Sequence, residues 1–151
     1  MLHYGIPNYR LPKEELDHDI QAILDTGVEV RCNERIGDQI SIQQLRKEYD
    51  AVLISIGAST DKKLGIEGEE ADGVISAVHF LRDVGLGNRP DLSGQEVAVI
   101  GGGNVSMDAV RTAIRLGAKK VSIVYRRRIA DMTALPEEIE GAIAEGVEVR
   151  F

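Results

Sequence analysis

Residues 97–128 read VAVIGGGNVSMDAVRTAIRLGAKKVSIVYRRR and contain the clearest indication of the fold class of this chain. This stretch opens with an apolar strand and turns at three glycines. It continues as an amphipathic helix with Ser106, Val110 and Ile114 on one face, and a second strand follows at 121–125. A strand, a crossover helix and a second strand form a right-handed unit whose strands are parallel. The sequence therefore predicts an α/β fold built from Rossmann-like parallel-sheet halves.

The glycine turn matches the dinucleotide fingerprint, Gly101-x-Gly103-x-x-Ser106, placed between a strand and a helix. Gly101 allows the sharp turn, Gly103 lets a pyrophosphate approach the backbone, and Ser106 is small enough for close packing of the helix. The free N–H groups at the start of the helix, together with the helix dipole, stabilise an anion. A glycine turn that binds no ligand is the alternative. The candidate cofactor-binding residues are Gly101, Gly102, Gly103, Asn104, Val105 and Ser106.

The residues after the second strand indicate which nicotinamide cofactor the site prefers. NAD-binding units usually carry Asp or Glu there, and its carboxylate accepts a hydrogen bond from the ribose 2′-OH. This chain instead has Tyr125-Arg126-Arg127-Arg128. Arginine pairs with a 2′-phosphate, whereas a carboxylate repels it. We therefore predict NADPH as the cofactor, with Arg126 and Arg127 as the phosphate-binding residues; a solvated basic turn is the alternative.

Further helices and strands are predicted on both sides of the fingerprint. Helix starts are marked by Pro12, Ser41, Ser76 and Pro136, which are residue types favoured at helix N-termini. Strands are predicted at 28–32, at 51–56 as a fully buried parallel strand, and at 147–151. Cys32 is expected to be a small buried residue of the first of these strands.

Two other patterns bear on the domain organisation and on the fingerprint helix. The segment GVEVR occurs at 27–31 and again at 146–150, which indicates either two homologous α/β domains or a chance match. The polar side chains of the fingerprint helix fall on or near the face opposite its apolar one; they are Asp108, Arg111, Thr112 and Arg115.

Composition excludes several classes of partner. The formal net charge is −7, which argues against a nucleic acid, because phosphate backbones require an excess of Lys and Arg. No apolar run approaches the ~20 residues of a membrane span, and no signal peptide opens the chain, so we expect no membrane partner and a cytoplasmic location. A lone cysteine forms no internal disulfide and holds no iron–sulfur cluster. The three histidines are scattered without metal-ligand spacing.

Several motifs occur in order along the chain, from the N-terminus to the arginines. They are Tyr4-Gly5-Ile6-Pro7 with Arg10-Leu11-Pro12, Asp50-Ala51-Val52 through Ile56-Gly57-Ala58, Ile66-Glu67-Gly68-Glu69, the run from Gly101 to Asp108, and Tyr125-Arg126-Arg127. Together they resemble the small subunit of NADPH-dependent glutamate synthase and its relatives, including the NADPH/FAD half of dihydropyrimidine dehydrogenase.

The resemblance implies two Rossmann-like domains, with the NADPH domain inserted into the FAD domain. Hydride then passes from NADPH to FAD, and electrons leave toward iron–sulfur clusters and a partner electron-transfer subunit. Residues 1–93 correspond to part of the FAD domain with its connector, and 94–151 to part of the NADPH domain. The segment Ile56, Gly57 and Ala58 is implied to lie near the flavin.

The chain also departs from this family. The first glycine fingerprint, which grips the FAD pyrophosphate, and the cysteines that hold clusters are absent, so the sequence resembles an internal part of a longer flavoprotein. The isolated chain is therefore expected to be inactive as a reductase. Its missing strands are expected to be replaced by self-association, by partial disorder or by docking of its own halves. A non-catalytic nucleotide-binding or assembly module is the alternative function.

Overall fold

The structure, a computed structural model, describes residues 1–58 and 60–151. Ser59, in the predicted connector 58–74, lies outside the described residues. The helices are α1 (Lys13–Leu24), α2 (Ile42–Glu48), α3 (Ala77–Gly85), α4 (Asn104–Arg115) and α5 (Pro136–Ala144). The strands are β1 (Glu96–Ile100), β2 (Lys120–Val124) and β3 (Glu148–Arg150). Within the described ranges, no helix combines the length and the apolar character needed to cross a membrane.

The described residues form two compact units. The first consists of Met1–Lys13 and the chain after Ser59, through Phe151; it contains the whole sheet. The second is Glu14–Ala58, which contains α2 and all of α1 except its first residue.

The first unit confirms the predicted α/β fold. Its three parallel strands follow the order β1-β2-β3, with Val97 opposite Val121 and Val99 opposite Ile123. Helix α4 packs on β1, β2 and α5, and it forms the crossover between the first two strands. The largest fully buried side chains are those of Met107, Val110 and Ile123. The apolar face of the fingerprint helix and the centre of β2 therefore make the core that holds the glycine turn at the carboxyl edge of the sheet.

Helix ends follow the predicted local chemistry. The Ser41 hydroxyl accepts a hydrogen bond from the Gln44 N–H, and the Ser76 hydroxyl accepts one from the His79 N–H. Helix α5 begins at Pro136 and is followed by Gly146, whose φ of +96° ends the helical turn before β3. These residues set the boundaries of α2, α3 and α5 within one or two positions of the predicted ones.

The predictions of strands at 28–32 and 51–56 are wrong for this chain. Both segments are without regular structure, and Leu53 and Ile56 are 92% and 88% exposed. Cys32, predicted as buried, is also exposed. A strand is stable only when a neighbour pairs with its backbone N–H and C=O groups. No described segment of the second unit runs alongside 51–56 as a strand, so its apolar sequence is insufficient to form one.

Truncation of the core should be far more destabilising than truncation of an exposed side chain of the same type. Ile123 is 1% exposed, and Ile123→Ala should lower the free energy of unfolding by about 2–4 kcal/mol. The matched control is Ile75→Ala in the same unit, where the side chain is 68% exposed and the expected change is under about 0.5 kcal/mol. Urea denaturation followed by circular dichroism measures both. Equal losses would mean that the core is assigned wrongly.

Candidate dinucleotide-binding site

The glycine turn and the arginine run lie at the same edge of the sheet. Ile100 is the register partner of Val124, so Gly101 and Tyr125 each follow the carboxyl end of adjacent parallel strands. The Gly101 N–H donates to the Val124 carbonyl oxygen at 3.0 Å, which ties the turn to the end of β2. Ligands of open parallel sheets bind outside this edge. The structure therefore brings the two sequence-predicted parts of the NADPH site together.

Packing explains why the first two positions of the turn are glycine. Gly101 has a φ of +142°, and a Cβ there would lie 2.6 Å from the Ser106 hydroxyl oxygen. A Cβ on Gly102 would lie 2.9 Å from carbon atoms of the Tyr125 ring and of the Met132 side chain. Any side chain at either position would push against the fold itself. These glycines are needed to build the turn, before any ligand arrives.

Gly103 differs, because within the described part of the chain a Cβ there would meet only the Thr133 hydroxyl oxygen at 3.5 Å, an ordinary contact distance. Gly103 is the N-cap of α4, and no side chain of the described residues accepts a hydrogen bond from the first N–H groups of the helix there. The Ser106 and Met107 N–H groups bond to the Gly103 carbonyl oxygen at 2.9 and 3.2 Å. The N–H groups at the very start of α4 are thus available, and the open side of Gly103 gives an anion access to them. These residues fit a dinucleotide pyrophosphate.

Hydrogen bonds connect the glycine turn to residues 133–135, which follow the arginines and lead into α5. The Gly102 carbonyl oxygen accepts from the Thr133 and Ala134 N–H groups, each at 3.0 Å. The Asn104 side-chain oxygen accepts from the Leu135 N–H at 3.0 Å, so this side chain holds the start of α5. Of the candidate residues, Asn104 therefore offers its backbone to a ligand while its side-chain oxygen is engaged.

The three consecutive arginines after Tyr125 are not equivalent. Arg128 forms an ion pair with Asp131 at 3.1 Å and, through a hydrogen bond, holds the pKa of that carboxyl below its usual range. Arg126 and Arg127 are exposed, and neither forms an ion pair with another described residue. Two guanidinium groups thus remain able to bind an external anion beside the glycine turn.

The N-terminal arm, residues 1–12, covers the polar face of α4, which sequence reasoning did not foresee. Asp108 and Thr112 are buried, although both were expected on or near the outer polar face of the helix. The Arg10 guanidinium reaches Asp108 at 2.8 Å, and the Tyr9 ring lies against Arg111 and Arg115. The motif Arg10-Leu11-Pro12 is part of the resemblance described above, and it was the only sequence feature that pointed to Arg10. Helical periodicity alone does not show which segment covers the polar face of a helix.

The first unit, which contains the candidate site, does not include Ile56, Gly57 or Ala58. They end the second unit, all three are exposed, and Gly57 has a φ of +66°. The structure describes them only within that unit, so their assignment near a flavin stays a prediction.

Comparison with known proteins gives the family and the relatives. The family model described as pyridine nucleotide-disulphide oxidoreductase matches residues 2–150. The NADP(+)-dependent formate dehydrogenase subunit beta of Moorella thermoacetica is 45% identical over 100% of this chain and 22% of its own length. The glutamate synthase [NADPH] small chain of Escherichia coli is 35% identical over 100% of this chain and 34% of its own length. The chain therefore spans between about a fifth and a third of these two proteins.

A solved structure supports the fold. FprA of Mycobacterium tuberculosis in complex with NADPH superposes with a TM-score of 0.73 over 96% of this chain and 38% of that chain, at 23% identity. Similarity at this level of identity establishes the Rossmann-like α/β fold and leaves the function to be argued from the site.

Proposed function

This chain belongs to the pyridine nucleotide-disulphide oxidoreductase family, and on that premise we propose that it holds NADPH in a flavin-dependent oxidoreductase that resembles the glutamate synthase small subunit. The observation that carries the proposal is the uncapped start of α4 at Gly103 beside two unpaired arginines on one sheet edge. The first feature suits a pyrophosphate and the second suits a 2′-phosphate. The names of two relatives, the glutamate synthase [NADPH] small chain at 35% identity and an NADPH-Fe(3+) oxidoreductase subunit beta at 40%, support the same cofactor.

The residues of this chain would bind and orient the cofactor. NADPH supplies the hydride when bound, and the protein contributes position and electrostatics. The N–H groups after Gly103 would receive the pyrophosphate, and Arg126 with Arg127 would receive the 2′-phosphate. The hydrogen bonds that the Thr133 and Ala134 N–H groups donate to the Gly102 carbonyl oxygen attach the segment after the arginines to the glycine turn.

We further propose that the flavin belongs to the longer protein. Residues 94–151 would be part of the NADPH domain, and residues 1–93, with Ile56, Gly57 and Ala58, part of the FAD domain. The exposed segments 28–32, with alternating apolar residues, and 51–56, with a nearly continuous apolar run, support this, because they would gain neighbours when further strands of an FAD domain pair with them. A partner electron-transfer subunit fits the names of relatives that are themselves subunits.

The rival function is a non-catalytic nucleotide-binding or assembly module. The exposed apolar segments of the second unit favour it, because exposed strand-forming sequence promotes association with other chains. The two functions differ in one respect. In the proposed function, NADPH bound to the longer protein reduces a flavin, whereas in the rival function no flavin is reduced.

Titration of the chain with NADPH and FAD tests the proposal. We expect calorimetry at low salt to show NADPH binding, and an absorbance scan after FAD addition and desalting to show no retained flavin. The reason is that the fingerprint at Gly101–Ser106 is already assigned to the nicotinamide cofactor. Dye reduction by NADPH should therefore be absent in the chain alone.

Size-exclusion chromatography with light scattering on the same samples shows whether the exposed segments cause self-association. A yellow, dye-reducing monomer would refute the assignment of the flavin to the longer protein. Absence of NADPH binding would refute the proposed function itself and favour the assembly module.

A further inference from the structure

A continuous series of ion pairs joins the N-terminal arm to α4 and α5. The Arg10 guanidinium lies 2.8 Å from a carboxylate oxygen of Asp108 on α4 and 3.1 Å from one of Glu138 on α5. Asp108 is 4% exposed, so its carboxylate is removed from solvent. One cation of the arm therefore bridges the two helices that flank the glycine turn.

The other acids of this series have additional cationic partners. Arg111 lies 2.8 Å from Glu138 and 2.9 Å from Glu145, and Arg115 lies 2.6 Å from Glu145. Among the described residues, Asp108 forms an ion pair with Arg10 alone, and its second carboxylate oxygen is buried without a hydrogen-bond partner. Loss of Arg10 would thus leave Asp108 as the one buried acid in the series with no ion pair.

The position of Asp108 gives its charge a consequence at the dinucleotide site. It lies four residues after Asn104, about 6 Å along the helix axis from the helix start that is proposed to bind the pyrophosphate. A negative charge at that depth in a poorly solvated region opposes the binding of a second negative charge at the helix start. The helix dipole attracts the pyrophosphate, and an uncompensated Asp108 would offset that attraction.

We propose that Arg10 is a positioning residue of the dinucleotide site: it neutralises Asp108 and fixes the arm on α4 and α5, so that the helix start stays able to bind a pyrophosphate. The inference rests on the proposed function and adds a residue to it. Burial raises the pKa of the Asp108 carboxyl, which Arg10 opposes. The other groups that act on Asp108 are Glu138 from α5, Arg111 from its own helix and Tyr9 from the arm, whose pKa burial raises to about 12.

NADPH titrations at fixed low salt, between pH 5.5 and 9, test this role. Arg10→Met should weaken NADPH binding on the order of tenfold at pH 8, relative to the unsubstituted chain at the same pH. The deficit should shrink as the pH falls, because an unpaired Asp108 takes up a proton and loses its charge. Taking the ratio at each pH removes the titration of the cofactor phosphate, which both proteins share.

A charge-matched series separates electrostatics from folding. Arg10→Met combined with Asp108→Asn should recover most of the lost affinity, Asp108→Asn alone should bind at least as tightly as the parent, and Arg10→Lys should stay within about threefold of it. The control is Arg82→Met on α3, which removes the exposed pair with Asp83 and should leave affinity unchanged. If Arg10→Met fails to fold, Asp108→Asn and Arg10→Lys still carry the test.

Three results would overturn the inference. They are a deficit of equal size at every pH, a double variant no better than Arg10→Met, and an Asp108→Asn variant that binds more weakly than the parent. The first two would mean that Arg10 acts through the packing of the arm alone, and the third would mean that the Asp108 carboxylate supports binding rather than opposing it. A parent chain that binds no NADPH would instead refute the proposed function, so the two failures are distinguishable.

Discussion

Replacement of Arg126 and Arg127 together by alanine is expected to weaken NADPH binding by at least about 100-fold and to leave NADH affinity within about threefold. A hydrogen bond to a charged group contributes about 1.5–3 kcal/mol, and a tenfold change in affinity corresponds to about 1.4 kcal/mol. Both side chains are exposed and unpaired within the described chain, so no internal ion pair has to break before they receive a phosphate. NADH has no 2′-phosphate, so its binding affinity should change little in the double variant.

Calorimetric titration of both cofactors at several salt concentrations measures this selectivity. The matched control is Arg128→Ala, because Arg128 is already paired with Asp131 and should contribute much less. The penalty of the double substitution should shrink as salt rises, since exposed charges are screened. A chain whose preference for NADPH over NADH survives the loss of both arginines would disprove their assignment.

The part of the fold that could be predicted is the part whose contacts are local in sequence. Strand β1, the glycine turn, α4 and β2 follow one another directly, and each is stabilised by its immediate neighbours in the chain. Apolar periodicity, the glycines and the small residue at Ser106 therefore contain nearly all the information needed. The same reasoning gave the start of α5 at Pro136 and the return of the chain as β3.

The segment 51–56 shows where such reasoning fails. Its run of apolar residues has the composition of a buried parallel strand, yet Ile54 and Ile56 are exposed and the backbone forms no ladder. Strand formation is a property of a pair of segments, and hydrophobic sequence supplies only one member of the pair. Sequence can therefore indicate that a segment suits a strand without indicating that its partner is present.

Burial of Asp108 could not be predicted for a different reason. A helical projection separates the apolar from the polar face of α4, but it does not tell whether the polar face meets water or another segment. Here the arm brings Tyr9 and Arg10 onto it from about a hundred residues away in sequence, and an ion pair takes the place of solvent. A local sequence pattern does not predict contacts between residues so far apart in the chain. These contacts are the ones that extend the candidate site beyond its fingerprint, to Tyr9 and Arg10.

Gly103→Ala is expected to leave the fold intact and to weaken NADPH binding by about 100-fold. The new methyl group would meet only the Thr133 hydroxyl oxygen, at 3.5 Å, so the free chain has room for it. Its cost in stability should stay under about 1 kcal/mol, the usual difference between Gly and Ala at an N-cap. The methyl group would, however, stand on the open side of the turn, where a pyrophosphate must approach the backbone within hydrogen-bonding distance.

The comparison variant is Gly101→Ala, which should lose stability and binding together. Its methyl group would lie 2.6 Å from the Ser106 hydroxyl oxygen at a φ of +142°, a backbone conformation that side chains rarely adopt. Urea denaturation and NADPH titration of both variants separate a blocked site from a damaged turn. If Gly103→Ala binds NADPH as tightly as the parent chain while remaining folded, the pyrophosphate does not lie against Gly103. The uncapped start of α4 would then no longer support the proposed site, because the helix N–H groups are reached past that residue.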